Sequence, residues 1–299
     1  MRNQKIINGK EIASQIREKV KVLGLDFTKK TGHTPGLCVV LLGNNPASNV
    51  YVKNKIKQTE EVGFKSIEHR LPSDTEEKEL LDLIGKLNTD DSVNGILVQL
   101  PLPEHIDSDK VLDKIIPKKD VDGFHANNVG KLWTNITTLV PCTPLGCSII
   151  LKKIQQDLSG KHAVIIGRSN IVGKPMAALL LQMNATVTIV HSRTDKIKEI
   201  CRKADILIAA VGVPEMVKGD WIKKDCIVVD VGINRIKHGE KTKLVGDVDF
   251  EDVIENSSAI TPVPGGIGPM TIACLLVNTL TAAHMQHGLN APSLSSLFD

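Results

Sequence analysis

Six short apolar runs constrain this 299-residue chain more than any other feature. They are GLCVVLLG (36–43), GILVQLPLP (95–103), HAVIIG (162–167), TVTIVH (186–191), DILIAAVG (205–212) and CIVVDVG (226–232). All are rich in β-branched residues, and most are apolar on consecutive positions. A strand with one wet face alternates in polarity, whereas a strand covered on both faces does not. Parallel, helix-covered sheets are therefore predicted, and helical patterns fill the intervals. The fold class read from this is α/β. A boundary is expected near LVPCTPLGCSIILKKIQQ, where Thr143 suits an N-cap and Pro144 a first helical turn, with the helix over 145–156. This gives two domains, residues 1–140 plus 270–299 and residues 141–269. The polar tail NAPSLSSLFD is expected to be loosely ordered.

Composition removes several functional classes. The net charge is only +3, no Lys/Arg run occurs, and aromatic residues make up 3%. Neither a phosphate-binding surface nor base-stacking platforms are expected, so nucleic acid is not a predicted partner. The six cysteines form no C-x-x-C pair and no Cys/His cluster with zinc spacing. No metal site is predicted, and the scattered thiols suit a reducing compartment. The amino terminus lacks an apolar signal stretch, and no uninterrupted apolar run approaches the ~18 residues of a membrane span. A cytoplasmic protein that binds no membrane is expected.

VIIGRSNIVGKPMAALLLQ (164–182) reads as strand, glycine-bounded turn and helix. A Walker A loop needs four residues between its glycines, then Lys and Ser/Thr. Here five residues separate Gly167 from Gly173, and Lys174 precedes Pro175. The dinucleotide fingerprint G-x-G-x-x-G is not met either, since its middle glycine is Ser169. The next strand decides between them. It ends in His191, Ser192 and Arg193, with no acid to take ribose hydroxyls; Asp195 comes later. A hydroxyl and a guanidinium suit a 2′-phosphate, and Arg168 stands beside Gly167. A Rossmann-type site for NADP is expected. Arg193 alone would read as a solvated surface charge.

Three further positions carry candidate chemistry. Tyr51 and Lys55 are four apart on a helix capped near Ser48, beside an apolar stripe of Val52, Ile56 and Thr59. A lysine there ordinarily extends to water; partial burial would instead suit it to proton transfer. Gln99 interrupts an otherwise apolar strand near its carboxyl end, where α/β ligand sites form. Asp122, in KKDVDGFH, is either a plain turn residue or an acceptor for two parallel N–H groups of a heterocycle.

Taken together, YVKNK, GILVQLPLP, KDVDGFH, PCTPLG, GRSNIVGKP, TVTIVHSRT, VVDVGIN, GDVDF and PVPGGIGPMT resemble, in order and nearly end to end, the bifunctional methylenetetrahydrofolate dehydrogenase/methenyltetrahydrofolate cyclohydrolase (FolD) family. The resemblance implies a cleft between an amino-terminal catalytic domain and a Rossmann-type NAD(P) domain. It implies oxidation of 5,10-methylenetetrahydrofolate with NADP⁺ and hydrolysis of the methenyl product to 10-formyltetrahydrofolate, in one-carbon metabolism and purine biosynthesis. By resemblance Lys55 is the principal catalytic residue, tuned by Tyr51 and held by Gln99. Asp122 binds the pterin edge, Ser48 lines the same pocket, and the loop with Pro264, Gly265, Gly266 and Thr271 approaches the folate. Gly167, Arg168, Ser169, Ile171 and Gly173 form the cofactor turn, Ser192 and Arg193 face the ribose phosphate, and Val211, Gly212 and Ile233 line the dinucleotide through backbone groups. A homodimer through the nucleotide domain is also implied. The synthetase domain of larger relatives is expected to be absent. Two alternatives remain open at this point: an amino-acid- or shikimate-dehydrogenase-like oxidoreductase, which has no need of a pterin acceptor such as Asp122, and a non-catalytic NADP sensor, which has no need of Tyr51, Lys55 and Gln99.

Overall fold

Parallel strands cannot be joined by tight turns, so each pair needs a crossover, and the helical intervals supply it. The computed structural model describes residues 2–238 and 241–292. It falls into two compact units. One joins Ser14–Cys142 to the chain from Ile272 onward; the other joins the residues up to Ala13 to Thr143–Thr271.

In the first unit, strand β1 (Gly36–Leu42) leads through helix Pro46–Glu61 into β2 (Lys65–Leu71), and helix Glu77–Thr89 leads into β3 (Gly95–Val98). The sheet is parallel, in the order β2-β1-β3. β1 is buried at every residue, as its unbroken apolar sequence requires. A parallel bridge between Ile96 and Asp120 lays a further segment beside β3. There the Ile96 amide donates to the Lys119 carbonyl at 2.8 Å. Cys38, Val40, Leu80, Ile84, Ile96 and Val98 form part of the core beneath. Fully burying each of the larger side chains contributes about 1.5–3 kcal/mol.

The second unit carries five parallel strands: β4 (His162–Ile166), β5 (Thr186–Val190), β6 (Ile206–Ala209), β7 (Cys226–Asp230) and, after the antiparallel hairpin β8 (Asn234–His238) and β9 (Lys241–Val245), β10 (Ser257–Ile260). Their order is β10-β7-β6-β4-β5. β5 thus lies on one side of β4 and β6 on the other. The carboxyl ends of β4 and β6 flank a topological switch point, where open α/β sheets bind ligands.

Several boundaries differ from those expected. The third strand stops at Val98, so Gln99 is the first residue beyond it; its amide still donates to Val40 O at 2.9 Å. Helix Pro46–Glu61 is capped by Asn45, whose Oδ1 accepts the Ser48 amide at 3.2 Å. Ser48 lies inside the helix rather than at its cap. The helix expected over 145–156 spans Cys142–Ile154. The first residues, expected in the catalytic domain, belong to the five-stranded unit: Ile6 bridges Ile260, and the Lys10 amide donates to Gly265 O at 3.2 Å. Ile267–Gln286 is long and apolar enough to cross a membrane, although polar residues interrupt it; 72% of it is buried inside the structure. Its Asn278 bonds the carbonyls of Val121 and Val140 at 2.7 and 2.8 Å. The tail from residue 293 lies outside the described residues.

Candidate functional site

Lys55 does not extend to water. It sits one turn beyond Tyr51 on the face of Pro46–Glu61 that packs on the sheet, between buried Val52 and Thr59, and is 8% exposed. Its Nζ donates to Gln99 Oε1 at 2.9 Å. Gln99 is itself oriented by donating Nε2 to the Leu100 carbonyl at 2.7 Å. Burial holds the Lys55 ammonium below the usual lysine range, and the Asp122 carboxylate and Cys142 sulfur oppose that shift. Ser48 is buried on the same helix, and Tyr51 is half-buried.

Asp122 follows the segment that pairs with β3, so it too emerges at the carboxyl edge of this sheet. Burial pushes its carboxyl up to about 6, Lys55 pulls it down, and Asp120 adds to the rise. Its loop is held from below by Asp120, which accepts from the amides of Phe124 (3.2 Å) and His125 (2.8 Å) and from Asn128 Nδ2 (2.8 Å). Gly123 adopts φ 73°, and a Cβ there would lie 2.6 Å from Pro141 N and Val140 C. Only glycine lets the loop turn so close to that chain. Asp120 and Asn128 escaped sequence reasoning, although the D-V-D spacing was the available signal: alternate residues of an extended segment share a face, and two acids there invite separate roles.

The structure therefore brings Lys55, Gln99 and Asp122 together, with Ser48 and Tyr51 on the same helix. A buried amine held below the usual lysine range, with a carboxylate coupled to it, is suited to proton transfer. Among the described residues, no group of three or more His, Cys, Asp or Glu side chains is arranged to hold a metal ion.

The other predicted residues all lie in the five-stranded unit. Gly167 ends β4 with φ 120°, where a Cβ would strike the Ala210 carbonyl, and a Cβ on Gly173 would strike Gly167 O. The turn is thus closed on itself and on the end of β6. Ser169, in place of the middle glycine, accepts the Val172 and Gly173 amides on Oγ at 3.1 and 3.4 Å. It caps helix Gly173–Gln182, a task for which Val172 at the cap position has no side-chain donor or acceptor. Arg168 and Ile171 are exposed on this turn. Beyond β5, His191 and Thr194 bond each other (His191 N to Thr194 Oγ1, 3.0 Å) and leave Ser192 and Arg193 exposed at the tip. Among the described residues, no carboxylate pairs with Arg168 or Arg193. An arginine with no carboxylate partner, a hydroxyl and no acid at the strand end fit a 2′-phosphorylated dinucleotide.

Val211 and Gly212 follow β6, but their amides already donate to Asp247 Oδ2, at 2.6 and 2.9 Å. Those two amide donors are therefore engaged inside the protein. Ile233 is 45% exposed beside Gly268. Pro264, Gly265 and Gly266 form the loop ahead of Ile267–Gln286, and Thr271 Oγ1 meets Thr143 Oγ1 at 3.0 Å. These four residues, expected to contact the folate, share a unit with the nucleotide turn rather than with Lys55.

Comparison with known proteins agrees with this geometry. Residues 7–122 match the tetrahydrofolate dehydrogenase/cyclohydrolase catalytic domain and residues 141–287 the NAD(P)-binding domain of the same family. The bifunctional protein FolD of Dichelobacter nodosus is 63% identical, over 93% of this chain and 96% of that protein. The FolD protein of Sinorhizobium fredii is 56% identical, over 98% and 97%. Among solved structures, the bifunctional FolD of Campylobacter jejuni superposes with a TM-score of 0.91 at 50% identity, covering 94% of this chain and 99% of that one. The Trypanosoma brucei dehydrogenase-cyclohydrolase, complexed with NADP and an inhibitor, gives 0.91 at 36% identity over 94% and 98%. With both of its units matched in order, the chain belongs to the tetrahydrofolate dehydrogenase/cyclohydrolase family.

Proposed function

We propose that this chain oxidises 5,10-methylenetetrahydrofolate to the 5,10-methenyl form with NADP⁺ and hydrolyses that product to 10-formyltetrahydrofolate. The observation that carries the reading is the buried Lys55, bonded to Gln99 and coupled to Asp122, in a chain of this family. Bound NADP⁺ supplies the hydride acceptor, and the turn from Gly167 to Gly173 with Ser192 and Arg193 holds it. Arg168 and Arg193 favour the 2′-phosphate because no carboxylate among the described residues neutralises them.

In the hydrolytic step a water oxygen bonds to the methenyl carbon and the cationic charge is discharged. Lys55, pushed towards its neutral form by burial and by repulsion from the cationic folate, takes the water proton on Nζ. Gln99 fixes Nζ by accepting one of its protons. The carbon–N5 bond then breaks as the second water proton leaves the oxygen to solvent and Lys55 returns its proton to N5, so the formyl group stays on N10 and one proton is released overall. Asp122, ionised above its pKa of about 6, accepts the amide and amino N–H groups of the pterin. Tyr51 and Ser48 line the same face. Family resemblance also assigns folate contact to Pro264, Gly265 and Gly266, ahead of the last helix, and to Thr271, inside it.

The same family reading makes the protein a cytoplasmic homodimer whose formyl product serves purine biosynthesis, with neither membrane nor nucleic acid among its partners; sedimentation equilibrium tests the dimer. The activity itself is tested with purified protein, methylenetetrahydrofolate and NADP⁺. Reduction of the nucleotide followed by appearance of 10-formyltetrahydrofolate is expected, and absence of either overturns the assignment.

A further inference from the structure

Two buried acids, Asp230 and Asp247, stand outside the chemistry above. Asp230 is the last residue of β7, and Asp247 follows β9 by two residues. Asp247 is fully buried and Asp230 nearly so. A buried carboxylate is costly unless its lone pairs are met, and here backbone amides meet most of them. Asp230 accepts from Gly232 N (2.9 Å), Asp247 N (3.0 Å) and Val248 N (3.0 Å). Asp247 Oδ2 accepts from Val211 N and Gly212 N, and its Oδ1 from Asn234 Nδ2 at 2.8 Å. A Cβ on Gly246 would run into the Asp230 carboxylate, so glycine is required for this approach.

The chain of contacts ends at a functional place. Val211 and Gly212 lie directly beyond β6, across the switch point from β4, and the Gly167 turn packs on the neighbouring Ala210 carbonyl. Gly212 has φ 69° with open space where a Cβ would stand. Val211 packs its side chain on the core beneath, and Asp247 takes both amides of the turn. We propose that Asp247 is a positioning residue for the dehydrogenase: by binding both amides of the Val211–Gly212 turn on one oxygen, it fixes the wall of the nucleotide crevice opposite the Gly167 turn. Asn234 supports Asp247 from its other oxygen. The inference rests on the function proposed above, and its test separates the two.

The test is Asp247→Asn in the full chain, which keeps side-chain volume but leaves one acceptor oxygen and no charge. The KM for NADP⁺ should rise about tenfold or more, the scale of a lost charge-assisted contact, and the dehydrogenase kcat should fall. Hydrolysis of supplied methenyltetrahydrofolate, which uses no nucleotide, should stay within about twofold of wild type. Asn234→Ala, which removes only the outer support, should give the same split by a smaller factor, and it decides the matter if Asp247→Asn does not fold. Unchanged nucleotide KM and kcat, or a parallel loss of both activities with a lower Tm, would overturn the proposal. A wild-type protein lacking either activity would strike the proposed function instead.

Discussion

In the three-stranded unit a buried Lys55 is electrostatically coupled to a half-buried Asp122, whereas in the five-stranded unit Arg168 and Arg193 stand in water. The contrast follows from what each region must do. Proton transfer near neutrality needs a displaced pKa, and burial supplies the displacement: down for Lys55, up to about 6 for Asp122. Recognition of a phosphate needs fixed positive charge not already spent on an internal partner. The five-stranded unit has buried acids as well, but Asp230 and Asp247 are turned on backbone amides at Val211, Gly212, Gly232 and Val248.

The substitution that should break this contrast most severely is Lys55→Met. The apolar stem is kept, so the fold should persist with Tm near wild type. Methenyl hydrolysis should fall by about 10²–10⁴-fold, the range of a general base. Near-normal hydrolysis by this variant would remove Lys55 from its role.

Asp122→Ala comes next. A carboxylate accepting two N–H groups contributes about 2–4 kcal/mol, so the folate requirement should rise steeply in both reactions. Loss confined to the dehydrogenase would show that Asp122 does not hold the pterin.

The same residue gives a pH dependence with two opposite signs. Folate kcat/KM should decline as pH falls through about 6, because protonated Asp122 can no longer accept both N–H groups. Stability should move the other way. A carboxyl whose pKa is raised in the folded state contributes most below its unfolded value of 3.8, and that contribution is lost as pH rises through about 6. Thermal melts of wild type and Asp122→Asn across this window read the difference. A pH-independent folate KM between about 5 and 8 would contradict the assignment.

A smaller effect is expected at the exposed arginines. Arg193→Ala or Arg168→Ala should cost about tenfold in NADP⁺ affinity and little in NAD⁺ affinity, as for one charge-assisted bond. Because these side chains are exposed, added salt should erode the preference, while the buried Lys55 step should be nearly indifferent to it. If only Arg168→Ala acts, Arg193 is a solvated surface charge.

The strands covered on both faces were legible in the sequence, since a segment apolar at every position has no side to turn to water. The strand β2, KSIEHRL, was hidden, because an edge strand that is half in water alternates and carries charge. The hairpin β8–β9 was hidden too, because its strands NRIKH and KTKLV are largely polar and, among the described residues, pair only with each other, and short β10 because a distant strand, β7, sets its pairing. Gln99 stood out as a polar residue at the end of an apolar strand, Lys55 as a cation beside the apolar stripe of its helix, and Asp122 as an acid in a glycine turn. Asp120, Asp230 and Asp247 were not. Their partners are mainly backbone amides brought near by the fold, and an amide has no signature in a sequence. For the same reason Ser169 looked like a defect in a glycine turn, when its hydroxyl is the cap of the helix that follows.

The claim that one chain uses a buried lysine for hydrolysis and a separate nucleotide turn for oxidation is tested most directly by following both steps in one reaction. Wild type, given methylenetetrahydrofolate and NADP⁺, should reduce the nucleotide and deliver 10-formyltetrahydrofolate, faster with NADP⁺ than with NAD⁺. Nucleotide reduction that stops with the methenyl compound as the wild-type end product, no reduction at all, or equal use of the two nucleotides would contradict the account.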